Sequence, residues 1–352
     1  MKKLIIVILT LLVVIACDID NKKDSKPDPI INPGDTPDNP ITRIESRQLT
    51  IVAWVELLKE IEADGKYVAL DLSACARGNQ TTGGGLWSDG SFNPDEDLDD
   101  NNGQKGKKLI VSLILPETAI CIPEPKIVGG SMGFPIYQGF FGAFSALKEV
   151  TGINITTLSR GSFSNLGTLY SSDGKITWNR GILTSINFPN VITIGENAFG
   201  SCYSLIYANI PKVQIIKQQA FLYCSLQSLN IPDIKYLGVQ SLAFRKFAIE
   251  FIFGEVAPKI DYSVLYTPIS GTTSHSITVK IPQGAAGYGE IPNDYIGGDT
   301  SKNWGNAFRG MGWNPDKANM VISSGTDRYD ADGFGPINRI FTGISLRIEY
   351  IN

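Results

Sequence analysis

The chain has 352 residues, of which 43% are hydrophobic and 10% aromatic, enough for a sizeable core. Its 31 basic residues are outnumbered by 35 acidic ones and include no basic run, which argues against nucleic acid as a partner. The 36 glycines indicate a chain rich in strands and turns.

The N-terminus has the pattern of a secretory signal. A basic Met1–Lys3 precedes an apolar run from Leu4 to Ile15, which is too short to cross a bilayer. Residues 14–17, Val-Ile-Ala-Cys, resemble a bacterial lipobox, which implies cleavage before Cys17, lipidation of its sulfur and acylation of its amine. The alternative is an ordinary signal peptide with an incidental cysteine. We predict a lipoprotein signal peptide over 1–16 and a membrane-anchored lipoprotein at the outer membrane or cell surface.

A polar segment separates this signal from the first folded elements. Residues 17–40 are rich in Asp, Lys, Pro and Asn, which predicts a disordered, extended tether. Residues 41–108 are predicted as an N-terminal cap. In this cap Thr50 starts a helix that ends near Ala63, a strand follows over 67–72, and 76–107 form a long surface loop.

A repeated pattern dominates the centre of the chain. Two copies, from Leu183 and Leu205, combine a Leu-x-x-Ile-like strand that ends in proline with a later Ala-Phe pair and a cysteine, and a weaker third copy from Leu226 repeats the strand and its proline. The prolines at 189, 211 and 232 are 22 and then 21 residues apart. A period of roughly 20–29 residues with this pattern is the signature of leucine-rich repeats. Because one coil cannot bury its own apolar face, stacked coils share one core.

The register continues in both directions from the clear copies. Ile110 to Pro116 repeats the strand, Leu147 starts another coil with Ser162-Phe163 in place of Ala-Phe, and Phe251 to Gly254 ends the series. This predicts about six coils over 109–260. Two of these coils are about 15 residues too long, which places insertions near 122–140 and 165–180. Insertions in such proteins map to loops, often on the binding face.

The repeat resembles the BspA-like leucine-rich repeat of treponemal and Bacteroides surface proteins. The resemblance covers about 65–290 and is carried by the proline-ended strands, the Gly-Lys-Tyr-Val-Ala-Leu-Asp-Leu-Ser-Ala-Cys segment at 65–75, and the following residues: Ile194-Gly195, Ala198-Phe199, Ala220-Phe221, Cys202 and Cys224. Ser241-Leu242 departs from it where Ala-Phe is expected. The resemblance implies adhesion to host protein or to other bacteria, and a repeat architecture of this kind favours a binding surface over an active site.

The repeat fades after about residue 261. Residues 276–282 read as a strand, 303–308 as a possible short helix and 340–351 as terminal strands. We take 261–352 as a strand-rich C-terminal cap region. The predicted fold is therefore a mainly β solenoid with α/β character, a short irregular leucine-rich repeat with a helical N-terminal cap.

Few residues are candidates for chemistry. His275 is the sole histidine, in a polar turn, and is read as a solvated loop residue. The acidic stretches at 95–100 and 327–332 partly resemble calcium loops, but Lys108 occupies the place of the bidentate glutamate after the first. Cys202 and Cys224 occupy the same repeat position in adjacent coils, which places them roughly 5 Å apart. A disulfide between them is geometrically possible, but two buried thiols are the preferred prediction. We predict no metal, cofactor or catalytic residue.

The exposed strand positions are the candidates for ligand contact. They stand four and two residues before each proline: Ser185 and Asn187, Tyr207 and Asn209, Ser228 and Asn230. The asparagines fall in one row, which is equally consistent with a ladder that merely solvates the sheet. Tyr207 is the stronger candidate because exposed aromatic residues often anchor partners.

Two functions remain open at this point. The first is a surface module that binds protein or other macromolecules of a host or of neighbouring bacteria. The alternative is a glycan-capture lipoprotein of a polysaccharide uptake system, with Trp87, Tyr207, Trp304 and Trp313 as stacking platforms for sugars.

Overall fold

A computed structural model of the chain describes most of the region between Asn32 and Tyr288, and the last strand. The described residues are 32–77, 91–92, 104–125, 127–131, 134–137, 141, 143–164, 166, 168–170, 176–178, 182–244, 248–260, 264, 275–286, 288 and 344–351. The predicted signal peptide with Cys17, the acidic stretches at 95–100 and 327–332, the possible helix at 303–308, and Trp87, Trp304 and Trp313 lie outside them. Contacts divide the chain into Met1–Asn32 and Pro33–Asn352, and the fold below concerns the second unit.

The described residues form two helices, α1 Ile51–Asp64 and α2 Gln104–Lys107, and 22 strands. The strands up to the middle of the chain are β1 Ile41–Ile44, β2 Gln48–Leu49, β3 Val68–Asp71, β4 Ala76–Arg77, β5 Ile110–Ile114, β6 Cys121–Ile122, β7 Ile127–Ser131, β8 Phe134–Tyr137, β9 Glu149–Thr151, β10 Thr157–Leu158, β11 Thr168–Tyr170 and β12 Ile176–Trp178. The remaining strands are β13 Ser185–Asn187, β14 Thr193–Ile194, β15 Tyr207–Asn209, β16 Ile215–Ile216, β17 Ser228–Asn230, β18 Tyr236–Leu237, β19 Ala248–Ile252, β20 Lys259–Ile260, β21 His275–Pro282 and β22 Ile344–Ile351.

Successive coils pair their strands in parallel, which confirms the predicted solenoid. One longer strand of each coil forms the first face, in the orders β1-β3-β5-β9-β13-β15 and β17-β19-β21-β22. Gln227 N donates to Ile206 O at 3.4 Å where β17 follows β15. Two-residue strands form a second face in the order β6-β10-β14-β16-β18-β20. The six predicted strands are β5, β9, β13, β15, β17 and β19, and the parallel ladder continues beyond them into both regions predicted as caps.

An aromatic column runs along the core. It begins with Trp54 and continues through neighbouring rings of successive coils to the end of β19: Phe92, Phe141, Phe163, Phe199, Phe221, Phe244, Phe251 and Phe253. Phe199 and Phe221 are fully buried, with ring centroids 5.1 Å apart and planes 8° from parallel. This confirms that the Ala-Phe pairs stack, and Phe163 confirms the same position in the preceding coil.

A left-handed turn precedes three of these rings, Phe163, Phe199 and Phe221, and the leucine at the equivalent position, Leu242. The residue before the Ser-Phe, Ala-Phe or Ser-Leu pair has a positive φ in four coils, at Gly161, Asn197, Gln219 and Gln240. Asparagine tolerates this conformation better than most residues, and glycine adopts it without cost. The next coil then satisfies the turn's backbone, since Phe199 N donates to Ala220 O at 2.8 Å. The return side of the solenoid is therefore a third hydrogen-bonded ladder.

The N-terminal end is closed by α1. Thr50 caps the helix by accepting a hydrogen bond from Ala53 N at 3.1 Å, and Gly65 ends it with φ 63°. Both helix limits agree with the sequence prediction to within a residue or two. The face of α1 toward the core is buried and consists of Trp54, Leu57, Leu58 and Ile61. On the other side, Glu45 accepts hydrogen bonds from Arg43 at 2.7 Å and Arg47 at 2.9 Å, and both arginines also pair with Glu60.

The segments predicted to be irregular contain more structure than expected. Within the predicted tether, Tyr67 N donates to Gly34 O at 2.8 Å and Lys148 pairs with Asp38, so these residues lie against the coils. The prediction of a surface loop over 76–107 is wrong at both ends, which form β4 and α2, and at Phe92, which is fully buried. Phe92 belongs to no periodic pattern, so only its three-dimensional position between Trp54 and Phe141 shows its role.

Both predicted insertions contain a β-hairpin. Strands β7 and β8 pair antiparallel inside 122–140, and β11 and β12 pair antiparallel inside 165–180. The hairpins leave the coil at different points, because the first precedes Phe141 and the second follows Phe163. Each extends the return from the second face to the first face, and neither interrupts a strand of the first face.

Candidate binding face

The candidate contact residues lie on the solvent side of the first face. In one row Glu149, Ser185 and Tyr207 are directly paired, and in the other Thr151, Asn187 and Asn209 are paired. The pairs Ser228–Glu250 and Asn230–Ile252 continue the two rows in β17 and β19. The residues between the rows, such as Val150 and Ile186, are buried in the core. We call these two rows, from β9 to β19, the strand face.

The asparagine row is a hydrogen-bonded ladder at its centre. Asn209 Nδ2 donates to Asn187 Oδ1 at 2.7 Å, and both residues are half-buried, whereas Asn230 is exposed. One bond leaves most of the amide groups of this pair available, since each amide has two N–H donors and a carbonyl oxygen with two lone pairs. The ladder predicted from the sequence is therefore present at this pair, and it still offers hydrogen-bonding groups to solvent.

Tyr207 is the most exposed aromatic residue of the strand face. Its relative exposure is 55%, and its neighbour Ile206 is also exposed. Ser185, half-buried, lies opposite it in β13, and Ser228, exposed, begins the following strand β17. A tyrosine ring held on a rigid sheet loses little conformational freedom when it binds, which suits it to anchor a partner.

Charged residues border the strand face and are missing from its middle. Glu149 is exposed in β9, and in β19 Glu250 pairs with Lys280 of β21 at 2.7 Å. The hydrogen bond to Glu250 raises the pKa of the Lys280 ammonium above its ordinary value. Between these borders, strands β13, β15 and β17 present serine, tyrosine and asparagine. Glu149 was not among the residues predicted from the sequence, because its coil lacks the proline that marks the register.

The cysteines of the repeat are buried thiols with a structural role. Cys202 Sγ donates to Phe163 O at 3.3 Å, and Cys224 Sγ donates to Phe199 O at 3.2 Å. Burial raises the pKa of Cys202 to about 12 and that of Cys224 well above its ordinary value, so neither forms a reactive thiolate. The structure thus favours the core interpretation over a disulfide.

The remaining chemical candidates do not form a catalytic site in the described part of the chain. The prediction that His275 lies in a polar turn is wrong. Its backbone begins strand β21 and pairs with Ile344. No group of three His, Cys, Asp or Glu residues in the described ranges is arranged to hold a metal ion. None of the helices described is both long and apolar enough to span a membrane.

A comparison with protein families explains the repeated coil. Residues 173–280 match the family model of the BspA type leucine rich repeat region, in six copies. This part of the chain is a BspA-type leucine-rich repeat region. The match includes strands β13 to β20 and therefore the tyrosine and all three asparagines of the strand face. Comparisons with curated proteins and with solved structures found no match.

The family assignment confirms the resemblance drawn from the sequence and has a coarse functional meaning. A leucine-rich repeat of this kind is a scaffold for binding and adhesion, and it is not an enzymatic fold. The family match extends over 173–280 only. The coils that precede it belong to the same sheet because β5 pairs in parallel with β9, and β9 with β13.

Proposed function

We propose that the protein is a surface lipoprotein whose strand face binds a protein partner of a host or of a neighbouring bacterium. The observation that carries this proposal is Tyr207, an exposed aromatic side chain at the centre of an uncharged polar surface on a rigid parallel sheet. Tyrosine, serine and asparagine are among the residue types enriched in antibody binding loops, because tyrosine gives rigid contact area and the others adapt their hydrogen bonds.

The binding test replaces the centre of this face. Tyr207→Ala combined with Asn187→Ala and Asn209→Ala should weaken binding to the partner found on a panel of extracellular-matrix proteins by tenfold or more. The melting temperature should change little, because Tyr207 is exposed and replacing both asparagines together leaves neither amide without its partner. The matched control is Ile192→Ala with Thr193→Ala. Thr193 begins β14 of the second face and the exposed Ile192 precedes it, so this variant should bind like the parent protein. Equal binding by all three proteins would place the site elsewhere.

The middle of the strand face presents no charged side chain, which allows a second test of the proposal by the salt dependence of binding. Binding through Tyr207 and the asparagines should depend weakly on ionic strength, because no exposed ion has to be screened there. A partner that binds through the bordering carboxylates Glu149 and Glu250 would instead lose affinity steeply as salt rises. Measuring the dissociation constant at two salt concentrations distinguishes the two surfaces without any substitution.

A glycan is the second candidate ligand, and the amide ladder favours it. The Asn187–Asn209 pair places hydrogen-bonding amides beside the Tyr207 ring, which could stack on the apolar face of a sugar. Of the four stacking platforms predicted from the sequence, Tyr207 is the one that the structure describes. A glycan array run beside the matrix panel, with the same triple variant, decides between the two classes of partner.

The anchor is the remaining part of the proposal. The apolar run at 4–15 followed by Cys17 supports lipidation, and the polar segment after it would hold the repeat away from the membrane. Cys17→Ser removes the acceptor sulfur, so the variant should move from the detergent phase to the aqueous phase in a partitioning experiment. An unchanged partition would disprove the lipid anchor and leave the binding proposal untouched.

A further inference from the structure

Three exposed lysines place positive charge on the second face of a chain that is acidic overall. Lys212 and Lys217 lie on either side of β16, and Lys235 immediately precedes β18, the next strand of that face. The whole chain has a formal net charge of −4 at pH 7, so these residues gather charge of the opposite sign. We call the three lysines the lysine patch. It lies on a different side of the coils from the strand face.

Neutral amides hold two residues of the lysine patch in place. Lys212 Nζ donates to Asn190 Oδ1 at 2.8 Å, and Lys235 Nζ donates to Gln214 Oε1 at 2.8 Å, in each case on the preceding coil. An amide oxygen positions an ammonium without cancelling its charge, and it uses one of the three N–H donors. Both side chains are therefore oriented by the repeat and still offer charge and hydrogen bonds to a ligand.

Carboxylates neutralise other lysines of the chain but not those of the patch. Lys105, for example, pairs with Glu62 at 3.3 Å. Within the part of the chain that the structure describes, no ion pair involves any of the three lysines of the patch. The exposed Asp233 occupies the position of Lys212 in the next coil, but the Lys212 ammonium is directed to Asn190 of the preceding coil. The patch thus keeps a net positive charge.

A sulfated polysaccharide fits the lysine patch better than other common polyanions. Because β16 and β18 are adjacent, the lysines lie along two coils about 4.8 Å apart, and a linear polymer that crosses the coils meets them in turn. Lysine is a compact point charge that suits separate anionic groups, whereas arginine is preferred for the phosphates of nucleic acids. The proposed secretion signal also brings the patch into contact with polysaccharides outside the cell.

We propose that the lysine patch is a second binding site and that its ligand is a sulfated polysaccharide. The ammonium groups donate to sulfate oxygens, so binding weakens as salt rises. This site goes beyond the proposed function, which places a protein partner on the strand face. Because the two sites lie on different sides of the same coils, both can be occupied. A matrix that displays protein and sulfated polysaccharide together would then be held at two sites, with a gain in avidity.

Binding of the full-length protein, solubilised in detergent, to immobilised heparin tests this site. The test variant replaces the whole patch: Lys212→Gln, Lys217→Gln and Lys235→Gln. It should elute at lower salt than the parent protein and bind at least tenfold more weakly. The matched control loses the same charge at three lysines that are each paired with a carboxylate: Lys66→Gln, Lys105→Gln and Lys148→Gln. The control should elute like the parent protein.

Three results would overturn the proposal. They are a parent protein that heparin does not retain, a patch variant that binds like the parent, and an equal loss in both variants, which would mean that net charge alone governs retention. Competition in solution tests the chemistry of the ligand. Chemically desulfated heparin, which keeps its carboxylates, and a DNA oligonucleotide should each compete at least tenfold less well than heparin. Equal competition by either polymer would exclude recognition of a sulfated polysaccharide.

The strand-face variant shows whether the two sites are separate. Tyr207→Ala combined with Asn187→Ala and Asn209→Ala should bind heparin like the parent protein, because none of these residues belongs to the second face. A failure of the strand face to bind protein would therefore leave the heparin result unchanged. Loss of heparin binding in this variant would contradict a separate site in the lysine patch.

Discussion

The regular coils from β13 to β18 and the N-terminal end around α1 bury their apolar side chains equally well, but they are stabilised differently. In the regular coils, equivalent residues of successive coils contact each other: Phe199 stacks on Phe221, and Asn209 bonds to Asn187. At the N-terminal end, α1 covers the core and the Arg43, Arg47, Glu45 and Glu60 side chains form one ionic network.

The difference shows what a repeat can and cannot supply. A repeated contact needs a neighbour of the same kind, so it propagates along the coils but cannot close the end of the stack. Closing the end requires residues outside the repeat, which is why terminal coils in such proteins depart from the consensus. We expect the coils to unfold cooperatively with one another, and the N-terminal end to open separately at lower cost.

Truncating the aromatic column in the regular coils should have the largest effect. Phe221→Ala leaves a cavity between Phe199 and Phe244 and should lower the free energy of unfolding by ~3–5 kcal/mol. Phe221→Leu, which keeps most of the volume, should cost much less. Urea denaturation of the two variants measures the difference, and two curves like that of the parent protein would contradict the coil register.

The same truncation at the N-terminal end sharpens the comparison. Trp54→Ala removes the ring that meets Phe92 at 6.3 Å, so hydrogen exchange should accelerate in β1 and β3. Protection in β14 and β16 should stay at the level of the parent protein. Equal loss of protection in both regions would show that the end and the regular coils unfold as one unit.

The sequence predicted the regular coils well because their contacts are periodic. Strands β13, β15 and β17 follow from the spacing of the three prolines, and the asparagine row follows from the strand register. Strand β1 was missed because it is short and has an arginine between its two isoleucines. Phe92 and Phe141 join the aromatic column from segments without a period, so only the three-dimensional fold reveals them.

Close packing between coils predicts a smaller but measurable effect. A Cβ added at Gly195 would lie 2.5 Å from Arg160 N of the preceding coil, so backbone would have to move. Gly195→Ala should therefore destabilise the protein by roughly 1–3 kcal/mol. Lys217 occupies the same position one coil later and is exposed, and Lys217→Ala should change stability by under ~0.5 kcal/mol. Comparable melting of the two variants would argue against this tight contact.

Ser241 offers a substitution that should stabilise the repeat. It occupies the alanine position of the Ala-Phe pair, it is fully buried, and within the described residues its hydroxyl has no hydrogen-bond partner. Ser241→Ala removes an unsatisfied polar group and should raise the free energy of unfolding by about 1 kcal/mol. The exposed Ser228→Ala is the control and should be neutral. A destabilised Ser241→Ala would mean that the hydroxyl is satisfied after all.

The candidate site was predicted less completely than the coils. Tyr207 and the asparagines were placed on the correct face, since strand alternation decides which side chains point outward. The bordering Glu149 was missed, and the spacing located the two insertions along the chain but not the points where their hairpins leave the coil, which lie before Phe141 and after Phe163. A loop position inside a coil depends on which side of the solenoid it leaves, and the spacing of prolines does not contain that information.

The ionic network at the N-terminal end should give the smallest effect, and it depends on pH. The hydrogen bond from Arg47 lowers the pKa of Glu60 below the ordinary glutamate value of 4.5. Burial opposes this shift, and the hydrogen bond from Arg43 adds to it. A carboxylate with a lowered folded pKa contributes its stability above 4.5 and loses it as pH falls through the folded value. Because Glu60 is partly exposed and screened, the contribution should stay under ~1 kcal/mol. Glu60→Gln should destabilise α1 at pH 7, and its difference from the parent protein should shrink as pH falls below 4.5 and through the folded pKa. Hydrogen exchange of α1 followed over a pH series measures this, and a Glu60→Gln effect that is the same at every pH would show that the arginines act on the helix by packing and not by charge.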